Sequence, residues 1–335
     1  MKIDFHFYLV YALARWAGFE GVNANGEKEA QIIAYASQYV DDNDEAQVID
    51  TAGHEPEALE VLPEASASLI KEVSRCQRFP WAVRIKETGN FFRPIMTQTG
   101  SFNSLIPIFQ RYLFVPFHFL PGDLEEIPQI RGRRNPWSTT ANSRNGIALL
   151  KEALDSGDLY RIGAALHTFA DTWSHQNFSG LRDDWNAVQG SVLVPDVGHA
   201  EVFEKPDRIS EIWEDKRVNK QIVNADRARA AAREIFNWLS MYHRSETTWE
   251  DVKDGFEELL LAEDEDRRME MVKGMYPDED LAYDRNRWID GALEYDPDLE
   301  EVVAKPGFWS SHWYKFQCAV QKHLATVVPL FPEAI

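Results

Sequence analysis

Residues 159–180 read LYRIGAALHTFADTWSHQNFSG, and the period of this stretch decides the fold. Asp158 stands where an N-cap accepts the first free amides, Gly180 offers a stop and no proline intervenes, so a single helix is expected from Leu159 to Phe178. Leu159, Ile162, Leu166, Phe169 and Trp173 share one stripe that requires burial, while Gly163, Ala164 and Ala165 let a second helix come close. Such a helix belongs at the centre of a domain. His167, Asp171 and His175 recur every four residues, each roughly 40° round from the last and one turn further on, so three metal-competent side chains share a face.

Imidazole nitrogen and carboxylate oxygen suit zinc and its first-row neighbours, and several from one rigid helix make a preorganised half-site. A single His-x-x-x-Asp pair fits a plain surface helix equally well. The second histidine in phase, beside a stripe that must be buried, favours the metal site, because unpaired polar groups there are costly.

Outward from this helix, most segments are helical in period. Phe5 to Phe19 is apolar on nearly every side, the profile of a buried helix, and His6 near its start is either a hydrogen-bonded core residue or a ligand. A helix from Glu27 to Asp42 ends on Asp41 and Asp42, where carboxylates oppose the macrodipole unless a cation compensates; a solvated acidic end is the plain alternative. Thr140 to Asp155 leads into the central helix as an αα-hairpin, and Asn224 to His243, Thr248 to Ala262 and Ser310 to Val328 are further helices. Residues 46–100 differ. AQVID, WAVRIKE and FFRPIMTQTG carry β-branched and aromatic residues between turn formers, so a small β-rich insertion is expected there, with His54 on a surface loop. The expected fold is therefore all-α, one metal-binding helical domain over residues 1–335 with a β-rich insertion at 46–100.

Two further places hold ligand-type residues. His118 lies between two phenylalanines in a turn fixed by Pro116 and Pro121, an odd setting for a solvated imidazole. His199 is followed by Glu201, Glu204 and Asp207, any of which could be its carboxylate partner. Arg131, Arg133 and Arg134 form the densest basic group and either balance local acid, the favoured option, or meet an anion. His243, His312 and His323 have no metal-type companions.

The formal net charge of -20 argues against a long nucleic-acid track, which needs clustered lysine and arginine. The acidic run from Asp251 to Glu301 reads as a solvated face. Two cysteines, Cys76 and Cys318, are too few for a disulfide framework and read as ordinary thiols. No apolar run reaches the roughly 20 residues that span a bilayer, and the first residues lack a signal-type cleavage pattern, so a cytoplasmic protein is expected.

HTFADTWSHQNF, residues 167–178, resembles the central-helix motif of the zinc-dependent phospholipase C superfamily, which includes single-strand-specific zinc nucleases and glycosylphosphatidylinositol-cleaving phospholipases. The resemblance implies an all-α fold holding two or three zinc ions, with His167, Asp171 and His175 as ligands. HFYLVYALA, residues 6–14, is similar to the family's N-terminal helix, which implies His6. In the secreted members the N-terminal residue also binds through its amine and carbonyl; Asp4 is the candidate substitute here. The aspartate that comes after the second helix in the family, and orients or deprotonates water, matches Asp42 slightly better than Asp41. FHFLPGD, residues 117–123, resembles the setting of a further ligand, implying His118, and the histidine after the central helix implies His199, with Asp207, Glu201 or Glu204 beside it.

Two functions stand as expectations. One is a phospholipase C-like phosphodiesterase in which metals held by His6, Asp41 or Asp42, His118, His167, Asp171, His175, His199 and Asp207 activate water against a small phosphodiester or lipid head group. The other is a non-catalytic helical scaffold that keeps metal for stability.

Overall fold

The apolar opening segment forms α1, a π-helical stretch over Asp4–Leu9 that continues as α-helix over Val10–Trp16 and is buried from Asp4 to Ala14. The structure is a computed structural model and describes residues 1–23, 26–44, 82–100, 102–190 and 194–332. α2 spans Glu29–Asp42, and two short strands, β1 (Val83–Arg84) and β2 (Phe91–Phe92), come next. α3 has three parts, Pro107–Phe109, a π-helical turn over Gln110–Phe114 and Val115–Phe117, and delivers His118 at its end.

α4 (Arg144–Ser156) is capped by Ser143, whose hydroxyl accepts the amide of Gly146, and it closes on Gly157 in the left-handed region at φ 66°. α5 (Leu159–Ser174) starts on Asp158, which accepts from the amides of Tyr160 and Arg161 as its cap position requires. A hairpin of β3 (Ile212–Asp215) and β4 (Lys220–Val223) leads into α6 (Asn224–His243), then α7 (Trp249–Leu260) and α8 (Glu265–Met275). The chain ends with α9 (Arg287–Ala292), β5 (Leu293–Asp296), β6 (Glu301–Ala304) and α10 (His312–Val327).

α5 is the hub, packed against α2, α3, α4, α6 and α10. Its small residues act as expected. A methyl group on Gly163 would stand 2.4 Å from the carbonyl oxygen of Ile33 and 2.6 Å from the Ala36 methyl, so α2 lies against α5 at backbone distance. One hydrophobic cluster runs through this contact and takes in side chains from Met1 to Val327.

The all-α expectation is corrected: the fold is mixed. β2, β1, β6 and β5 form a four-stranded sheet in that order, and β3 with β4 forms a second, separate sheet. β1 runs parallel to β6, pairing Arg84 with Val303, and that pairing joins residues 82–92 to the C-terminal third of the chain. Strands of two to four residues are too short to display the period of two on which a sequence reading depends. The acidic side chains from Asp251 to Glu301 are exposed or partly exposed, as a solvated face requires, on a stretch that also contains β5 and reaches the first residue of β6.

The helix expected to reach Phe178 stops at Ser174, because His175 leaves helical geometry at φ −94°, ψ 19° and Asn177 takes a positive φ of 67°. Of the expected β-rich insertion, AQVID, His54 and Cys76 lie outside the described residues. Cys318 is a free, partly exposed thiol.

Candidate metal centre

Five histidines and three aspartates converge beside α5, drawn from α1, the end of α2, the end of α3, α5 itself and the loop before β3. Asp171 is 1% exposed and stands at the middle. Its Oδ2 lies 3.3 Å from His167 Nε2, 3.4 Å from His118 Nδ1 and 3.6 Å from His175 Nδ1. Its Oδ1 lies 3.2 Å from His6 Nε2 and 2.5 Å from the amino group of Met1. Asp41 Oδ1 closes one side, 3.7 Å from His167 Nε2 and 3.8 Å from His118 Nδ1. On the other side His175 Nε2 and His199 Nε2 stand 2.9 and 3.3 Å from the two oxygens of Asp207.

The orientation of each of four rings is set by a main-chain carbonyl, which can only accept. His167 Nδ1 donates to Ser37 O at 2.9 Å, and His118 Nε2 donates to Thr97 O at 3.0 Å. His175 Nδ1 donates to His118 O, and His199 Nδ1 to Phe203 O, each at 2.7 Å. In the neutral ring the other nitrogen then carries a lone pair, and those nitrogens are the ones that face the carboxylates. His118 Nδ1 and His167 Nε2 approach to 3.1 Å, acceptor to acceptor.

That donor set fits a divalent metal. Two ligands about 2.1 Å from one tetrahedral ion sit roughly 3.4 Å apart, and the contacts among His118, His167, Asp171 and Asp41 run from 3.1 to 3.8 Å. Three groupings bring ligand atoms within 4.8 Å of one another: His6, Asp41 and His167; His118, His167 and Asp171; His175, His199 and Asp207. His167 has one free nitrogen and can serve a single ion, so the first two groups compete for it.

Burial and mutual charge tune these groups. Burial pushes the Asp41 carboxyl up to about 7. It also holds His6 down to about 4 and His167 well below the usual imidazole range. Burial opposes ionisation of Asp171 too, but His175, the Met1 amino group and His167 outweigh it and keep the carboxylate ionised. Burial is likewise outweighed at His175, which Asp171 and Asp207 raise, and at Met1, whose amine they lift to about 10.

The centre forms the floor of a cleft of about 410 Å³. Asp41, His118, Asp171, His175, His199 and Asp207 line it together with Leu105, Phe114, Phe119, Val197 and Phe203.

A family model matches residues 1–330. The chain belongs to the DUF6765 family, a family of unknown function. No curated protein and no solved structure matches it. In this DUF6765 chain the aspartate pair at the end of α2 is divided. Asp41 faces the histidines, whereas Asp42 accepts from Tyr283 Oη at 2.8 Å and Gln38 Nε2 at 2.9 Å and belongs to none of the three groupings.

Of the carboxylates after His199, Asp207 enters the centre, Glu204 pairs with Lys2 and Arg208, and Glu201 accepts the amide of Gln189. Asp4, the candidate substitute ligand, is instead a buried partner of Arg268. Of the arginine group, Arg133 pairs with Asp183 and Asp184 and Arg131 with Asp184, whereas Arg134 donates to the main-chain carbonyls of Leu124 and Glu125.

Sequence reasoning missed the Met1 amino group, which lies 3.3 Å from both Asp207 Oδ1 and Ser174 Oγ. It also missed the orienting carbonyls of Ser37, Thr97 and Phe203, since a main-chain oxygen carries no residue-type signal. No helix among the described residues is long and apolar enough to cross a membrane.

Proposed function

We propose that this chain is a zinc-dependent hydrolase of phosphate esters, a phospholipase C-like phosphodiesterase acting in the cytoplasm on a small phosphodiester or lipid head group. The observation that carries the reading is the set of imidazole lone pairs, each fixed by a carbonyl behind it, that meet carboxylates on the floor of an open cleft. The likeness of residues 167–178 to the zinc phospholipase C motif supports the same reading.

When bound, two or three zinc ions would supply a water of lowered pKa and charge to clamp the phosphoryl oxygens. The chain's own part is to hold and to orient. Asp171 presents one oxygen to His118, His167 and His175 and the other to His6, which makes it the residue able to bridge two sites. Asp41 lines the cleft with its Oδ1 facing His118 and His167, where it could take a proton from an attacking water. Phe119 stacks on His175 with ring centroids 4.5 Å apart and shields that side of the cleft from water.

One observation favours a partly structural role. His118, His167 and Asp171 are all buried, and with Asp41 Oδ1 3.7–3.8 Å from the two imidazoles a metal there could be held by protein ligands alone. His175, His199 and Asp207, which line the cleft, would hold a metal with three ligands and so leave room for water or substrate.

The test is zinc per chain by elemental analysis together with hydrolysis of bis(4-nitrophenyl) phosphate. Two or three zinc ions are expected, with hydrolysis abolished by chelator. Asp171→Asn should lose at least one ion and lower hydrolysis on the order of a hundredfold. Less than one zinc per chain would sink the scheme, and zinc without hydrolysis would select the scaffold.

A further inference from the structure

Phe203 combines three properties that nothing in the metal scheme requires of one residue. Its backbone sits at φ 53°, ψ −135°, a conformation that glycine adopts freely and a side chain makes costly. Its ring is 69% exposed, so no burial in the core offsets that cost. Its carbonyl is the oxygen that orients His199, so the strained turn is held against the centre. A glycine would supply the same carbonyl without strain. The ring itself therefore needs a use, and Phe203 lines the cleft along with Leu105, itself 39% exposed.

Charge narrows what the ring would meet. Among the described residues no lysine or arginine lines the cleft, which leaves the Met1 amino group and the histidines as its positively charged or chargeable groups. Metal at the floor would satisfy one phosphoryl group. The rest of a bound molecule would then meet Leu105, Phe114 and Phe203, which line the same cleft, and a volume of about 410 Å³ suits a small ester rather than a polymer.

We propose that Phe203 is the specificity-determining contact of the cleft: its ring packs on the apolar substituent of an ester carrying one phosphoryl group. This rests on the phosphate-ester reading above, and the test separates the two. The zinc-loaded full chain is titrated calorimetrically with phenylphosphonate and with methylphosphonate, neither of which carries an ester bond to hydrolyse. Wild type is expected to bind phenylphosphonate on the order of tenfold more tightly, as an added aromatic contact implies. Phe203→Ala should bring the two within about twofold by weakening phenylphosphonate alone, and Phe203→Leu should keep part of the preference.

Zinc content is measured in each variant, and Phe203→Gly, which relieves the backbone, should melt at a higher temperature than Phe203→Ala. An unchanged preference in Phe203→Ala overturns the role of the ring while leaving phosphate binding in place. Loss of zinc in Phe203→Ala but not in Phe203→Gly makes the residue a backbone anchor for His199 and overturns it as well. Binding of neither phosphonate by zinc-loaded wild type removes the phosphate-ester reading, and the proposal with it.

Discussion

His167 Nδ1 lies 2.9 Å from the carbonyl oxygen of Ser37, a hydrogen bond that joins α5 to α2. Ser37 and Asp41 are one turn apart on the same face of α2, so the contact that orients an imidazole also delivers a carboxylate. Both depend on Gly163, where the two backbones touch.

Gly163→Ala should therefore damage fold and site together. The added methyl meets the Ile33 carbonyl at 2.4 Å, a rigid atom that cannot yield, so α2 must move away. We expect a loss of about 1–3 kcal/mol in chelator-treated protein and weaker zinc binding, read by urea unfolding and by zinc titration. Gly255→Ala on α7 is the control, because its nearest neighbour would be Trp16 at 3.9 Å. It should be neutral or stabilise by up to ~1 kcal/mol. Equal behaviour of the two variants would refute the close-contact argument.

Adjacent aspartates should behave differently. Asp41→Asn removes the oxygen that faces His118 and His167 and should lower both zinc retention and hydrolysis. Asp42→Asn keeps an oxygen for the Tyr283 hydroxyl, so it should leave zinc content unchanged and cost about 1 kcal/mol. The measurement is zinc per chain after dialysis against a weak chelator. A larger zinc loss from Asp42→Asn would reverse the assignment.

His323 gives stability a pH dependence of its own. On α10 it donates Nε2–H to Pro116 O at 2.8 Å and stacks on Phe117, while its buried Nδ1 has no partner among the described residues. Burial holds this imidazole down to about 4 from an ordinary 6.5. Between those values the unfolded chain takes up a proton that the native one refuses, so stability falls as pH drops through the window, by roughly 3 kcal/mol in all. His323→Gln retains a donor for Pro116 and removes the titration. Its stability should fall less than that of wild type between pH 7 and pH 5, with chelator in both samples so that zinc release does not enter. Parallel curves would assign the acid sensitivity elsewhere.

The central helix was legible in residues 159–174 because its signals are local: an N-cap at Asp158, a stripe at helical spacing and small residues where a neighbour must come near. The same holds for His167, Asp171 and His175, whose spacing places them on one face before any tertiary contact exists. His6, His118 and His199 were legible only as residues in unexpected surroundings or through family likeness.

Tertiary structure alone decided the rest. That Asp41 and not Asp42 faces the histidines, that Asp207 and not Glu204 meets His175, and that Asp4 pairs with Arg268 each depend on which partner arrives from a distant part of the chain. The parallel pairing of β1 with β6 joins Arg84 to Val303 and leaves no trace in two-residue strands. Residue order by itself determines what can repeat within a few turns of backbone. Convergence of distant ligands, and the carbonyls that turn each ring towards them, comes from packing that local periodicity does not encode.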